Sequence, residues 1–194
     1  MDHRKYLVLL MALTLTVTLP GLAAGANLVV NGDFETGDFT GWTTEAAPSG
    51  SLFGVSSTDP HSGSYAAYFG GVTAGNYDVI YQLLSTNPGT QYVEDYWLAN
   101  PYGGTPSDFL AWNPDIPGWV DVANNPSAFG YTNYSFDFTG TGADYVAFAA
   151  YQVPSFFYLD DVSVTAVPEP ATMLLLGSGL IGLAGLRIKK FLKK

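Results

Sequence analysis

The residues of this chain best suited to chemistry are carboxylates, indole rings and one carboxylate set between prolines. All seven Lys and Arg lie near the ends: Arg4 and Lys5 at the start, then Arg187, Lys189, Lys190, Lys193 and Lys194 at the close. Residues 27–167 therefore hold acids such as Asp33, Glu35, Asp59, Asp78, Asp115 and Asp160 with no Lys or Arg to pair with them. In FFYLDDVSV (156–164) a strand's two-residue period puts Asp160 in line with Val162 and Val164, and Asp161 with Ser163 and Thr165. If the valines face inward, so does Asp160. A buried carboxylate needs a partner, and the choices are backbone N–H groups, hydroxyls or a metal ion. Trp97, Trp112 and Trp119 offer flat faces of the kind that stack on pyranose rings, and the last two flank a Pro-rich loop, residues 113–118. The same ring types fill sandwich cores and favour strands, so packing is the competing role for each. Pro168-Glu169-Pro170 lacks two backbone N–H groups and disfavours helix before it. That segment should be extended, a form a protease cleft can bind, with Glu169 as a charged handle.

Several chemistries lack their parts. Without cysteine there is neither a disulfide framework nor a thiol nucleophile. A domain with only negative formal charge between its ends has no basic face to displace counterions from phosphates, which argues against nucleic-acid binding. No G-x-S-x-G or H-E-x-x-H occurs, and His61 is the only histidine beyond His3, read as a turn residue. GSGLIG (177–182) has dinucleotide-site spacing, but no strand precedes it and no βαβ unit surrounds it; small-residue helix packing is the simpler reading. The Asn133-Tyr134-Ser135 sequon sits in an expected strand. The many acids would permit a glycosidase pair, though spacing along one chain cannot show it. The expectation is a non-enzyme.

The ends look like addresses. Residues 1–26 combine a basic start, an apolar stretch from Tyr6 to Leu19 and a small-x-small site closing at Ala26, the layout of a secretory signal peptide. Residues 171–186 are sixteen uncharged positions, about 24 Å as a helix, short for a hydrocarbon core of about 30 Å. Snorkelling lysines and local thinning can close that gap, giving a marginal transmembrane helix. The basic tail 187–194 then stays cytoplasmic, with the preceding domain outside.

Between the ends, residues 27–166 are expected to form one domain. Strand-like runs recur between Gly, Pro and Asn clusters, and no long stretch has a helical period. The clearest is YTNYSFDFTG (131–140), where Thr132, Tyr134, Phe136 and Phe138 face one way and Asn133, Ser135 and Asp137 the other. Further strands are expected at 77–84, 91–99, 145–152 and 156–165, with turns at 87–90, 100–108, 113–118 and 140–142. The fold class is all-β, an antiparallel β-sandwich of jelly-roll type. Glu94 breaks the pattern: it is in register with Tyr92, Tyr96 and Leu98, which implies a wet concave face or a bulge.

The order of Pro-Glu-Pro, apolar segment and basic tail over 167–194 resembles the PEP-CTERM sorting signal of exported Gram-negative proteins. The resemblance implies passage through the inner membrane, transient anchoring, and processing by an exosortase, a membrane-embedded cysteine transpeptidase, followed by release to the cell surface or extracellular matrix. NLVVNGDFETGDFTGW (27–42), HSGSYAAYFG (61–70) and FFYLDDVSV (156–164) look like jelly-roll domains related to carbohydrate-binding modules. That likeness spans most of residues 27–165. It implies that the first and last strands lie together, bringing Glu35 near Asp160 and Asp161, and that a structural calcium ion is held there by Glu35, Asp160 and Asp33 with carbonyls of the HSGS turn. The functional expectation is an exported, exopolysaccharide-associated protein with glycan binding as its activity; a purely structural or adhesive surface protein is the competitor.

Overall fold

The computed structural model of the chain describes residues 25–71, 73–116 and 118–168. The expectations for most of the leader, for Glu169 and Pro170, for the transmembrane helix 171–186 and for the tail 187–194 lie outside the described residues. Ten strands are formed: β1 (Thr43–Glu45), β2 (Ser51–Ser56), β3 (Ala66–Gly71), β4 (Asp78–Leu84), β5 (Gln91–Asn100), β6 (Ser107–Asn113), β7 (Gly118–Asn124), β8 (Phe129–Thr139), β9 (Asp144–Gln152) and β10 (Phe157–Ala166). They make two five-stranded antiparallel sheets, ordered β1-β4-β9-β6-β7 and β2-β3-β10-β5-β8. The fold is an all-β jelly-roll sandwich, and no helix occurs among the described residues.

The core is the space between the sheets, filled by aromatic rings that cross it. Phe148 of the first sheet meets Tyr96 of the second edge to face at 4.8 Å, and Phe109 meets Phe157 at 5.5 Å. Phe34, from the segment before β1, is also fully buried and stacks on Trp42. Such pairs each add about 0.5–1.5 kcal/mol beyond the area they bury. The alternation expected in β8 is present: Phe138 is buried, Tyr134 and Phe136 half-buried, and Asn133, Ser135 and Asp137 exposed. β6 begins at Ser107, inside the stretch read as a turn, because the turn ends one step earlier at Pro106.

The first segment is laced to the last strand. Leu28 N–H donates to the Val164 carbonyl at 2.9 Å, and Val162 N–H donates to the Gly32 carbonyl at 2.9 Å. The Asn27 side chain mimics a peptide, its Oδ1 accepting from Val164 N–H at 2.9 Å and its Nδ2 donating to the Val162 carbonyl at 3.3 Å. Gly32 is required here: a Cβ would overlap the Val162 carbonyl oxygen. The ends of the domain thus lie together, as the family likeness implied.

Two expectations are corrected by register. β10 pairs Asp160 with Trp97 and Ser163 with Asp95, so it carries one more residue than β5 over that interval. This bulge, with Asp161 at φ 50°, breaks the two-residue period. Val162 and Val164 face the core, whereas Asp160 lies on the Trp97 side and is buried under the turn above it. Glu94 occupies neither a wet face nor a bulge: β5 pairs with β8 in unbroken register from Gln91 to Leu98, and Glu94 is buried between the sheets.

Candidate functional site

The most developed face is the outer surface of the β1-β4-β9-β6-β7 sheet, and its layout follows from β9. The sequence DYVAFAAYQ (144–152) is apolar on both faces because the strand is central. Val146, Phe148 and Ala150 enter the core, leaving Tyr145, Ala147, Ala149 and Tyr151 on the outside. Cross-strand register aligns Val79, Ala149, Leu110 and Asp121 in one row across β4, β9, β6 and β7. Beside it, Tyr81 is opposite Ala147 while Trp112 is opposite Trp119; on the other side Tyr151 is opposite Asp108.

Small residues on the central strand with large rings on either side make a trough. Ala147 and Ala149 are only 6% and 3% exposed although they face outward; the neighbouring rings cover them. One wall is built from edge-to-face pairs, Tyr81 with Tyr145 at 6.0 Å and Trp112 with Trp119 at 5.7 Å. Tyr77 and Tyr151, 5.0 Å apart, form the other. Trp119 is 42% exposed, a large apolar ring held at the surface by the β6–β7 hairpin. Half-exposed rings over an apolar floor can stack on the flat faces of sugar rings, and an open trough of this kind needs no enclosed cavity.

The trough also carries acid. Asp108 Oδ2 accepts the Tyr77 hydroxyl at 2.6 Å, and Asp108 Oδ1 is buried with no partner among the described residues. Burial raises the Asp108 carboxyl above its ordinary range, opposed by the Tyr77 bond and reinforced by Asp121 beside it. Burial and the Asp108 bond together push the Tyr77 hydroxyl well above the usual tyrosine range.

The carboxylates singled out by sequence gather at a second place, the turn over the outer face of the other sheet. Asp160 Oδ2 accepts His61 N–H at 2.8 Å and Ser62 N–H at 3.1 Å, and its Oδ1 accepts Asp161 N–H at 2.7 Å. Burial outweighs these bonds and holds the Asp160 carboxyl at about 6. Glu35 Oε1 accepts Ser64 N–H at 2.7 Å and Tyr65 N–H at 2.8 Å. Gly63, at φ 59°, leaves room for that carboxylate, which a Cβ would overlap. His61 Nδ1 lies 2.6 Å from Asp161 Oδ2, and its ring stacks on Trp97 at 4.0 Å. Trp97 is therefore covered by His61 and lies on the opposite sheet from Trp112 and Trp119. Asp33 lines, with Asp161, Val162 and Ser163, an open polar cavity of about 320 Å³. For a calcium ion, Glu35 and Asp33 are the acids with an oxygen still without a protein hydrogen bond, while Asp160 engages both of its own; no group of three or more His, Asp or Glu is gathered to hold a metal among the described residues.

The sequence reading pairs Trp112 with Trp119 as the structure does and counts Tyr151 among the many aromatics that could stack on sugar, but it passes over Tyr77, Tyr81, Asp108 and Asp121. The alternation of aromatic and alanine in β9 was the available signal for the trough, hidden because both faces of that strand are apolar.

Comparison with known proteins bears on both parts of the chain. Residues 166–190 match the PEP-CTERM protein-sorting motif. Endo-1,4-beta-xylanase A of Thermoanaerobacterium saccharolyticum is 30% identical over 152 residues, covering 71% of this chain; the chain spans 12% of that relative's length. Among solved structures, the carbohydrate-binding module TmCBM61 in complex with beta-1,4-galactotriose superposes with a TM-score of 0.58 at 17% identity, covering 73% of this chain and 99% of that one. The enzymatically active domain of bacteriophage CBA120 tailspike protein 4 superposes with a TM-score of 0.56 at 16% identity, covering 73% of this chain and 21% of the other.

Proposed function

We propose that this chain, which carries a PEP-CTERM sorting motif behind a jelly-roll sandwich, is an exported cell-surface or matrix protein that binds glycan in the aromatic trough without cleaving it. The observation that carries the reading is the trough itself: an outward-facing alanine floor between Trp112, Trp119 and Tyr81 on one side and Tyr77 and Tyr151 on the other. Rings packed for stability alone belong in the core, where this fold already has a full set. An indole pair on a hairpin, Trp119 exposed and Trp112 half-buried, is better explained by a ligand with flat apolar faces and polar edges. The sorting motif supports export, and exosortase-type processing would leave the sandwich at the surface or in secreted polysaccharide.

The test is binding of the purified protein to the producer's own polysaccharide, with Trp112→Ala and Trp119→Ala. Each substitution should weaken binding about five- to thirtyfold, since one stacked aromatic contributes on the order of 1–2 kcal/mol. Trp97→Ala should change binding less than twofold, its ring being covered by His61. No binding in any form would favour a structural surface protein, and glycan cleavage abolished by Asp108→Asn or Asp121→Asn would make it an enzyme. We further propose that a calcium ion, where bound, is held at the turn by Glu35 and Asp33 with backbone carbonyls and stiffens it.

A further inference from the structure

We propose that the acidic end of the trough selects glycans bearing free amino groups, with the protonated amine against Asp121 and Asp108 and the sugar rings on the flanking aromatics. The inference rests on the glycan-binding reading and names the ligand class within it.

Asp108 and Asp121 sit on adjacent strands and face the same way, brought together by the register shift between Phe109 and Leu110. Asp121 is exposed. Asp108 is 6% exposed, with one oxygen on the Tyr77 hydroxyl and the other buried without a donor among the described residues, so a ligand meets the pair through exposed Asp121 while Asp108 adds its charge from beneath. A buried carboxylate oxygen with no donor is costly unless something supplies one. Nothing in the sandwich can supply a positive charge, because residues 27–167 contain no Lys or Arg and His61 is on the other sheet with Asp161.

The donor that best answers two adjacent carboxylates brings its own charge. A sugar hydroxyl can donate a hydrogen bond but does not offset the repulsion between Asp108 and Asp121, which contributes to the raised carboxyl of Asp108. A uronic acid would add a third negative charge. A protonated amine does both jobs, forming charge-assisted bonds that are stronger than neutral ones. Lysine side chains of a peptide carry the same ammonium, but they offer no rigid ring to the aromatic walls, so an amino-sugar polymer fits more of the trough.

Calorimetric titration of the purified protein with the tetramer of β-1,4-glucosamine, its N-acetylated counterpart, cellotetraose and tetralysine tests this. The glucosamine tetramer should bind at least tenfold more tightly than either other sugar. The advantage should vanish in Asp121→Asn, an exposed position whose change leaves the fold intact, and shrink in Asp108→Asn. Trp119→Ala should weaken the sugars and leave tetralysine unchanged. Equal affinity for the acetylated or neutral tetramer, an advantage that survives Asp121→Asn, or tetralysine binding as tightly as the amino sugar would overturn the inference. Binding of the producer's polysaccharide with no amine preference would sink it while leaving the glycan reading in place.

Discussion

Glu94 shows how one residue can run against the fold that contains it. Its carboxyl is buried among the facing rings of β5 and β8 with Oε1 unpartnered, and burial, with Asp95 next to it, pushes the carboxyl up to about 8. The Tyr96 hydroxyl, also buried without a partner, is pushed far above its usual range. At neutral pH the native chain keeps the Glu94 proton, whereas the unfolded chain, with an ordinary value near 4.3, has lost it. The unfolded state therefore binds fewer protons, and stability falls as pH rises from about 4 towards 8, by at most about 1.4 kcal/mol per pH unit. Below about pH 6 the buried Asp160 contributes a fall of the same sign, and the raised Asp108 contributes another, so it is the difference between parent and variant across the window from 6 to 8 that isolates Glu94. Urea unfolding of Glu94→Gln should show a flatter profile across that window and greater stability than the parent at pH 7.5. Parallel profiles would mean that Glu94 is ionised in the folded state. The sequence flagged this residue from its register alone, but alternation states only which residues share a face and not whether that face is wet.

At the level of elements, the turn from His61 to Tyr65 is a clamp between the first segment and β10. Its N–H groups reach exposed Glu35 on one side and buried Asp160 on the other, so removing Asp160 leaves part-buried donors unanswered, whereas removing Glu35 frees the turn from the first segment and hands its donors to water. Glu35→Ala should lower the unfolding midpoint by several degrees, and a calcium ion at the turn would add to the same clamp. Thermal unfolding with and without chelator separates the two contributions: the midpoint should drop by several degrees on calcium removal in the parent and by much less in Glu35→Ala. A parent midpoint that ignores chelator would leave the hydrogen bonds as the whole clamp. The sequence placed Glu35, the HSGS turn and Asp160 together correctly, through family likeness. It put Asp160 on the wrong side because a bulge inserts one residue without any mark in composition. The strands with clean alternation or dense aromatics, β4, β5, β8, β9 and β10, were legible. β2 and β3 are short and glycine-bearing, β1 has three exposed residues, and β6 and β7 carry bulged, mixed patterns, so these became visible only through their pairing.

For the whole molecule, charge and address are coupled. Fifteen of the seventeen acids and none of the seven Lys and Arg fall in residues 27–167, so the basic residues stand in the two end segments alone. The arrangement suits a chain whose cations direct membrane orientation and are then removed. Gly25 lies against the backbone of Ala166, and Val167 N–H donates to the Gln91 carbonyl at 2.8 Å. Both boundaries therefore leave the sandwich at one place, and trimming there severs none of the strand ladders. The sorting motif over residues 166–190 marks an exported protein, and processing at both boundaries would convert a precursor of 20.7 kDa into a cation-free sandwich. Intact mass of the protein recovered outside the producing cell should show loss of residues 1–26 together with everything beyond the Pro-Glu-Pro motif. That form should also be retained more strongly on an anion exchanger than the precursor, since it sheds seven positive charges and only one acid, Asp2. An extracellular species at the full precursor mass would refute processing at either end. A species trimmed only at its start would refute the exosortase step while leaving export and the glycan-binding trough untouched.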